Sequence, residues 1–254
     1  MNTRPWKREW PMRLVIGGAV AALAPMQLAA QTASAPLQQD GDAVPSDADL
    51  ANTSCTSGEE RFLPGDFYYC LGTQSYGAHH YQDAQKFFTT AAAWASKPAQ
   101  YVLGIMALDG DQQPVNRPLA LAWLALAAER SNADLKRAYD SAYKSATTQE
   151  RQAADALLAS MRPVYADSTA AVRAEKRYVQ GMAELTRLSN SGASYCMQDD
   201  KAITRQAPPP TGCPTAKAVM QAVDSAAVKV FDGWVGHVQV GPLEQAGGPS
   251  GKGS

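Results

Sequence analysis

The sequence predicts an all-α protein made of stacked helix-turn-helix units, with a small C-terminal helix and a possible β-hairpin as an appendage. Two Leu-Gly pairs, Leu71-Gly72 and Leu103-Gly104, are 32 positions apart, within the period of stacked two-helix units. Apolar residues after the first pair recur at intervals of three and four, which is the spacing of one helix face. The second unit ends in an unbroken apolar run of ten residues, Leu119 to Ala128.

Residues 1–35 have the features of an export signal peptide. The basic residues of this segment are Arg4, Lys7, Arg8 and Arg13. They precede 11 mostly apolar residues, Leu14 to Ala24, and small residues follow. Because a transmembrane helix needs about 20 residues, we expect cleavage after Ala30 or Ala35 and no membrane insertion of the mature chain. The alternative is an uncleaved segment that anchors the chain to a membrane.

The charge of the chain argues against a nucleic-acid partner. Without residues 1–35 the formal charge falls from −1 to −4, because four basic residues and one acidic residue are removed. No basic face interleaved with aromatic residues is visible, and nucleic acids require one. Residues 36–60 contain six acidic and no basic residues. Since they offer little to bury, we predict a disordered acidic linker there.

Residues 61–165 carry the predicted helical repeats. The first apolar stripe consists of Tyr81, Ala84, Phe88, Ala91 and Ala95. Its helix should stop near Pro98, which then fits the first turn of the next helix, where a missing N–H costs nothing. The helix over Leu119 to Ala128 has no polar face, and such helices are usually buried between neighbours.

A third helical unit is indicated less regularly, because a third Leu-Gly pair is missing. Thr147 and Glu150 have the spacing of a capping box. The stripe behind the box is Ala154, Leu157, Met161 and Val164. Pro163 should end or kink that helix.

These residues resemble the Sel1-like branch of tetratricopeptide-type repeats over roughly residues 66–162. The matching motifs are Leu71-Gly72-x-x-x-Tyr76-Gly77, Tyr81-x-x-Ala84-x-x-x-Phe88, and Ala122 to Glu129. The first loop departs from the family, since Ala78-His79-His80 stands where a Gly-x-Gly-Val pattern is usual. The resemblance implies an α-solenoid that works as an adaptor in assembly or signalling complexes.

Residues 166–240 are predicted to form a C-terminal helical extension with a disulfide-closed loop and a short β segment. Its first stripe is Ala171, Ala174, Tyr178, Met182, Leu185 and Leu188, with Ser168 as cap and Gly192 as stop. Gly181 lies inside that helix and should cost about 1 kcal/mol unless a neighbouring helix crosses close by. A short helix follows over Pro214 to Ala226.

The end of the chain changes period. Valines and glycines alternate irregularly at Val228, Val230, Gly233, Val235, Gly236, Val238 and Val240. This pattern favours a short β-hairpin or an extended arm. Residues 241–254 are rich in Gly and Ser and are predicted to form a flexible tail.

The four cysteines, Cys55, Cys70, Cys196 and Cys213, form an even set in a chain with an export signal. Their spacings of 15 and 17 match no Cys-x-x-Cys redox or zinc pattern. Three pairings are possible, and we favour the sequence-local one, which joins the first two cysteines and the last two. Reduced, buried thiols are the alternative.

The sequence offers no recognisable catalytic constellation. Nucleophile-elbow, zincin, dinucleotide-binding and P-loop motifs are missing. The histidines are His79, His80 and His237, and adjacent histidines on a loop cannot easily face one ion together. A nucleophile made from Cys70 and either His79 or His80 is conceivable, but we expect this cysteine to be bridged. We therefore predict no enzymatic activity, no cofactor and no metal.

The aromatic residues divide into core and surface. Trp94 and Trp123 lie in Ala-rich helices, where we expect them to pack in the core. A two-helix unit leaves one face of its first helix on the concave side of the array, where a partner can bind. The predicted partner-binding residues on that face are Tyr69, Thr73, Tyr101, Ile105, Lys136, Asp140 and Tyr143.

The leading functional hypothesis is a non-catalytic periplasmic or secreted scaffold that binds an unknown protein or peptide of the cell envelope. The alternative is a cell-wall-directed enzyme or accessory factor of the penicillin-binding Sel1-like type. In those proteins disulfides recur within successive helix pairs, which the cysteine positions here do not reproduce. A spacer without any partner is the third hypothesis.

Overall fold

Helices account for almost all regular structure in residues 44–199 and 212–236, which are the residues that the computed structural model describes. The helices are α1 (Asp47–Ala51), α2 (Pro64–Gly77), α3 (Tyr81–Ala93), α4 (Lys97–Asp109), α5 (Arg117–Ala127), α6 (Ala133–Ser145), α7 (Thr148–Tyr165), α8 (Val172–Asn190) and α9 (Ala216–Val230). A 3-10 turn (Glu59–Arg61) precedes α2, and a π-helical turn (Asp167–Ala171) precedes α8. The predicted all-α class is confirmed for these residues.

The two Leu-Gly pairs mark equivalent helix contacts. A Cβ atom added to Gly72 of α2 would lie 2.6 Å from the ring of Phe88 in α3. A Cβ atom added to Gly104 of α4 would lie 2.8 Å from Cγ of Leu124 in α5. In both pairs a glycine lets the second helix approach the first more closely than any side chain would allow.

The loops explain why the two units differ in length. Three residues, 78–80, connect α2 to α3, whereas seven residues, 110–116, connect α4 to α5. Phe88 lies 16 positions after Gly72, and Leu124 lies 20 positions after Gly104. The four extra residues in the second loop account for this difference of four positions. The two helix pairs therefore pack with the same register.

Helix α5 lies in the middle of the helical array, with α4, α6 and α7 packed against it. Most of its side chains are buried, as its unbroken apolar run predicted. Trp123 is 7% exposed, and its ring meets that of Tyr165 edge to face with centroids 4.7 Å apart. The prediction that Trp123 is a core residue is confirmed.

Two of the three predicted helix starts agree with the structure. Pro98 lies in the first turn of α4, and Thr147 and Glu150 form the predicted reciprocal box at the start of α7. Pro163 lies within α7, which ends two residues later at Tyr165. Ser168 was expected to cap α8, but no side-chain cap precedes the π-helical turn and its first flanking residue is Ala166.

The inward stripe of α7 differs from the predicted one by one residue in two places. Leu158 and Tyr165 pack against the buried cluster, together with Met161. The sequence pattern predicts Leu157 and Val164 as the inward residues at these places, whereas Val164 is 43% exposed. The spacings of three and four residues fit both choices, so the period alone could not separate the two faces.

Helices α8 and α9 pack together with the turn before α2. Tyr178, Leu185, Val219 and Val223 share one buried cluster with Phe62. The apolar stripe predicted for α8 forms this contact. Gly181 does have close neighbours, although they do not belong to a crossing helix. A Cβ atom at this position would overlap the Phe62 ring and lie 3.0 Å from the Arg61 carbonyl oxygen.

The acidic segment 36–60 is ordered in its described part, contrary to the prediction. Residues 47–51 form α1, which begins with a capping box between Ser46 and Asp49 and packs against α2. Gly77 lies against α1, where a Cβ atom would come within 2.6 Å of the Leu50 Cβ. This short helix thus packs against α2 although none of its own residues is buried. Residues 36–43 lie outside the described residues.

The predicted β-hairpin is wrong at its start. Val228 and Val230 belong to α9, because Val223, Ala227 and Phe231 continue one buried face at intervals of four residues. Val235 and Gly236 lie in a turn, and Val238, Val240 and the predicted tail lie outside the described residues. The two short strands are elsewhere, with β1 (Thr56–Ser57) antiparallel to β2 (Gln198–Asp199).

The cysteines lie in two sequence-local pairs at disulfide distance. The Cα atoms of Cys55 and Cys70 are 5.7 Å apart, and those of Cys196 and Cys213 are 4.8 Å apart. Both separations fall in the usual range for disulfides. The first pair fixes the segment before α2 to α2 itself, and the second closes the loop between α8 and α9.

Among the described residues, no helix is both long enough and apolar enough to cross a membrane. The segment 1–35, for which export was predicted, lies outside the described residues.

Candidate functional site

The starts of three helices and the end of a fourth surround a cleft of about 510 Å³. Helices α2, α4 and α6 begin there, and α9 ends there. We call it the interhelix cleft. Its ionisable lining residues are Asp66, Lys97, Arg130, Lys229 and Asp232. Its apolar lining includes Pro98, Leu135, Ala226 and Val230. This volume and this mixture of polar and apolar groups are typical of sites for small ligands or peptide side chains.

Lys97 forms the floor of the interhelix cleft and is only 5% exposed. Its ammonium group donates to the Gln100 side chain at 3.1 Å and to the Leu126 carbonyl at 2.7 Å. It also lies 2.9 Å from a Glu129 carboxylate oxygen and 3.1 Å from Asp167 Oδ1. The buried charge is therefore fully surrounded by acceptors, which is what burial of an ammonium requires.

Arg130 forms the wall next to Lys97 and is 8% exposed. Its guanidinium donates twice to Asp167, at 2.9 and 3.1 Å. It also donates to the carbonyl oxygens of Val230 at 2.6 Å and Ala95 at 3.4 Å. One side chain thus connects the end of α5, the turn after α3, the π-helical turn and the end of α9.

These four side chains, Lys97, Glu129, Arg130 and Asp167, form what we call the buried ion network. Its two positive and two negative charges balance, and the Asp167 backbone N–H adds a 2.8 Å bond to Glu129. Removing one member leaves a buried charge incompletely paired, at a cost of several kcal/mol. The network therefore holds the cleft wall in one arrangement.

Two interacting carboxyl groups, Glu59 and Asp66, lie at the cleft, and Asp66 is itself one of its lining residues. Burial raises the pKa of Glu59 to about 7, and the nearby charges of Asp66 and Glu60 act in the same direction. Partial burial also raises the pKa of Asp66, opposed by its hydrogen bond with Glu59 and by the charge of Lys229. Because the two carboxyls interact, their titrations are coupled.

The structure distributes the predicted partner-binding residues over different environments. Tyr69 packs on Phe88, with ring centroids 5.8 Å apart, and Thr73 donates to the Tyr69 carbonyl. Tyr101 and Ile105 are half-buried in a separate cluster with residues of α5 and α6. Tyr69, Tyr101 and Ile105 therefore contribute to helix packing in two separate clusters, and the hydrogen bond of Thr73 stays within α2.

The other three predicted contact residues lie on α6. Lys136 and Asp140 form an exposed ion pair at 3.5 Å. Tyr143 is 36% exposed, and the Arg151 guanidinium lies 4.4 Å from the centre of its ring. This part of the predicted face is accessible to a partner.

The histidines that can be described lie on the loop before α3. His79 Nδ1 is 2.7 Å from the Tyr81 hydroxyl, and His79 Nε2 is 3.9 Å from Asp47. No group of three or more His, Cys, Asp or Glu residues within the described ranges is arranged to hold a metal ion. His237 lies beyond residue 236.

Sequence reasoning missed the residues of the interhelix cleft. One signal was present at Lys97, which occupies the first turn of α4 beside Pro98. A positive charge there opposes the helix dipole, so a lysine at this position indicates a carboxylate partner from elsewhere in the chain. Nothing in the sequence identifies Glu129 and Asp167 as those partners.

Searches with this chain against protein-family models, curated proteins and solved structures found no match. The resemblance to Sel1-like repeats therefore depends on the residues quoted above.

Proposed function

We propose that this protein is an exported, non-catalytic binding protein of the cell envelope, built from Sel1-like helix pairs as a short tetratricopeptide-like solenoid. It holds a peptide segment of an envelope protein in the interhelix cleft. The proposal rests mainly on the lining of that cleft. The buried ion network fixes two of its lining residues, Lys97 and Arg130, in one position.

The repeat character is supported by the contacts of Gly72 and Gly104. Both glycines lie on the first helix of a pair and admit a large apolar side chain from the second helix. Because the register is the same despite loops of three and seven residues, the two pairs are variations of one unit. Such units are usually stacked so that their first helices line a binding surface.

The cleft suits a peptide segment because it offers several kinds of contact side by side. Asp66 and Asp232 can accept hydrogen bonds, Lys229 can donate them, and Leu135 supplies apolar area. A wall that is already ordered loses little entropy when a ligand binds, which increases affinity without adding contacts. The seven-residue face predicted from the sequence lacks this continuity.

Export is supported by the two cysteine pairs at disulfide distance. Disulfides persist in the periplasm and outside the cell and are rare in the cytosol. The basic and apolar start of the chain agrees with this location.

Affinity purification from an envelope extract tests the proposal. Leu135→Asp places a charge in the cleft and should abolish capture of the partner. Tyr143→Ala, on the same helix but outside the cleft lining, should retain it. If Tyr143→Ala abolishes capture and Leu135→Asp does not, the partner binds the first-helix face and the cleft assignment is wrong.

A second candidate function, a cell-wall-directed hydrolase, is favoured by the carboxyl pair of Glu59 and Asp66. A carboxyl group with a pKa of about 7 can serve as a general acid or base at neutral pH. In this hydrolase, one of the two carboxyls would activate a water molecule for attack on a peptide bond of the wall.

Turnover of purified peptidoglycan separates the two functions. The binding proposal predicts no released peptides from either the purified protein or its Glu59→Gln variant. Release that disappears on Glu59→Gln would establish the hydrolase. Soluble products would be measured by mass spectrometry.

A further inference from the structure

A second cavity, of about 290 Å³, lies between the 3-10 turn before α2 and the middle of α8. It is lined by Arg61, Phe62, Arg177, Gln180, Glu184 and Tyr195 around Gly181. We call it the arginine pocket. It shares no lining residue with the interhelix cleft.

Its two guanidinium groups have no carboxylate partner. Within the described ranges, neither Arg61 nor Arg177 belongs to an ion pair. The nearest acidic side chain in the lining, Glu184, is already paired with Arg187. Glu60, beside Arg61 in sequence, accepts a hydrogen bond from the Gly58 backbone at 2.7 Å.

The pocket is held in shape by packing. Arg61 Nη1 donates to the Tyr195 hydroxyl at 3.3 Å, and the Tyr195 ring meets Phe62 edge to face at 5.7 Å. Phe62 is 1% exposed and lies against Gly181, where any Cβ atom would overlap its ring. Arg177 stands one helical turn before Gly181, so it projects from the same face of α8.

We propose that the arginine pocket binds an oxyanion, a phosphate or carboxylate group of a small ligand, between Arg61 and Arg177. Guanidinium groups recognise both anions through paired N–H donors. The Gln180 amide and the Tyr195 hydroxyl add uncharged donors to the same space. The mature chain is acidic, with a formal charge of −4 after removal of residues 1–35, so two unpaired arginines in one pocket are not a consequence of a generally basic surface.

Calorimetric titration of the purified protein tests this proposal. The probes are inorganic phosphate, glycerol 1-phosphate, and an N-acetylated dipeptide with a free C-terminal carboxylate, each at constant ionic strength. At least one probe should bind with one-to-one stoichiometry. Preference for glycerol 1-phosphate identifies a phosphoryl ligand, and preference for the dipeptide identifies a carboxylate ligand.

Single substitutions locate the binding. Arg61→Gln and Arg177→Gln should each weaken the preferred probe by about tenfold or more, since a hydrogen bond to a charged group contributes this much. Arg137→Gln, an exposed arginine of α6 that is paired with Asp134, is the matched control and should leave affinity unchanged. If the two arginines did not bind the anion together and Arg61 only positioned Tyr195, Arg177→Gln would leave the affinity for the probe unchanged. Such a silent result, or no binding of any probe, overturns the proposal.

Discussion

Lys97 Nζ lies 3.1 Å from Asp167 Oδ1, which joins the first turn of α4 to the turn after α7 across 70 positions of sequence. Both groups are largely buried, with 5% and 14% of their side chains exposed. The same aspartate accepts two bonds from Arg130. This relationship connects the helices α4 and α5 to the turn that precedes α8, and it fixes part of the lining of the interhelix cleft.

Asp167→Asn should therefore destabilise the fold strongly. It leaves Glu129 as the only carboxylate beside Lys97 and deprives Arg130 of its carboxylate. Breaking a buried ion pair costs about 3–5 kcal/mol. The free energy of unfolding from urea titration measures the effect. Asp140→Asn is the control, because its pair with Lys136 is exposed and should cost under about 0.5 kcal/mol. Equal effects of the two substitutions would contradict a structural role for the network.

Gly104→Ala and Gly72→Ala test the helix contacts on which the repeat assignment depends. In an unobstructed helix, replacing Gly by Ala stabilises by about 1 kcal/mol. Here the added methyl group would meet Leu124 or Phe88 at under 3 Å, so we expect a loss of about 1–3 kcal/mol from overpacking. The sign of the change in urea midpoint decides between these outcomes.

Trp123→Ala should open a cavity in the core and reduce the free energy of unfolding by about 3–5 kcal/mol. Tyr143→Ala removes a ring that is 36% exposed and should cost less than about 1 kcal/mol. Thermal denaturation of both variants provides the comparison. A silent Trp123→Ala together with an unfolding Tyr143→Ala would show that the buried and open faces have been exchanged.

The stability of the protein should fall as pH rises from about 4.5 to about 7. The pKa of Glu59 is raised in the folded state to about 7 from an ordinary value of 4.5, so folding favours the protonated form. The stabilising effect is complete below the unfolded pKa and is lost as pH rises through the folded one. Glu59→Gln cannot ionise and should flatten the urea midpoint over this range. An unchanged slope would mean that Glu59 does not titrate in this window.

Much of the helical structure follows from local patterns in the sequence. The apolar stripe of α3, the buried run of α5 and the box at Thr147 all describe interactions within one helix or with the nearest neighbour. Their period and caps are visible without knowledge of the fold. The capping box of Ser46 and Asp49 is equally local and is a signal for the start of α1. The acidic, polar composition of the segment instead favoured a prediction of disorder.

The interhelix cleft could not be predicted because its parts are distant in sequence. Lys97, Arg130 and Lys229 come from three different helix ends, and only packing brings them together. The strand prediction for Val228 and Val230 was wrong for a related reason. The strand preference of valine depends strongly on context, and burial of Val223, Ala227 and Phe231 on one side of α9 was the stronger effect.

Photo-crosslinking in intact cells tests the central proposal, binding at the interhelix cleft, most directly. A photoreactive amino acid replaces Leu135 in the cleft or, as the control, Arg137 on the exposed side of α6. We expect the photoreactive residue at position 135 to capture a defined envelope protein and the one at position 137 to capture none. A third variant carries the photoreactive residue in place of Tyr143. Capture at position 143 with none at 135 would contradict binding at the interhelix cleft and would place the partner on the first-helix face.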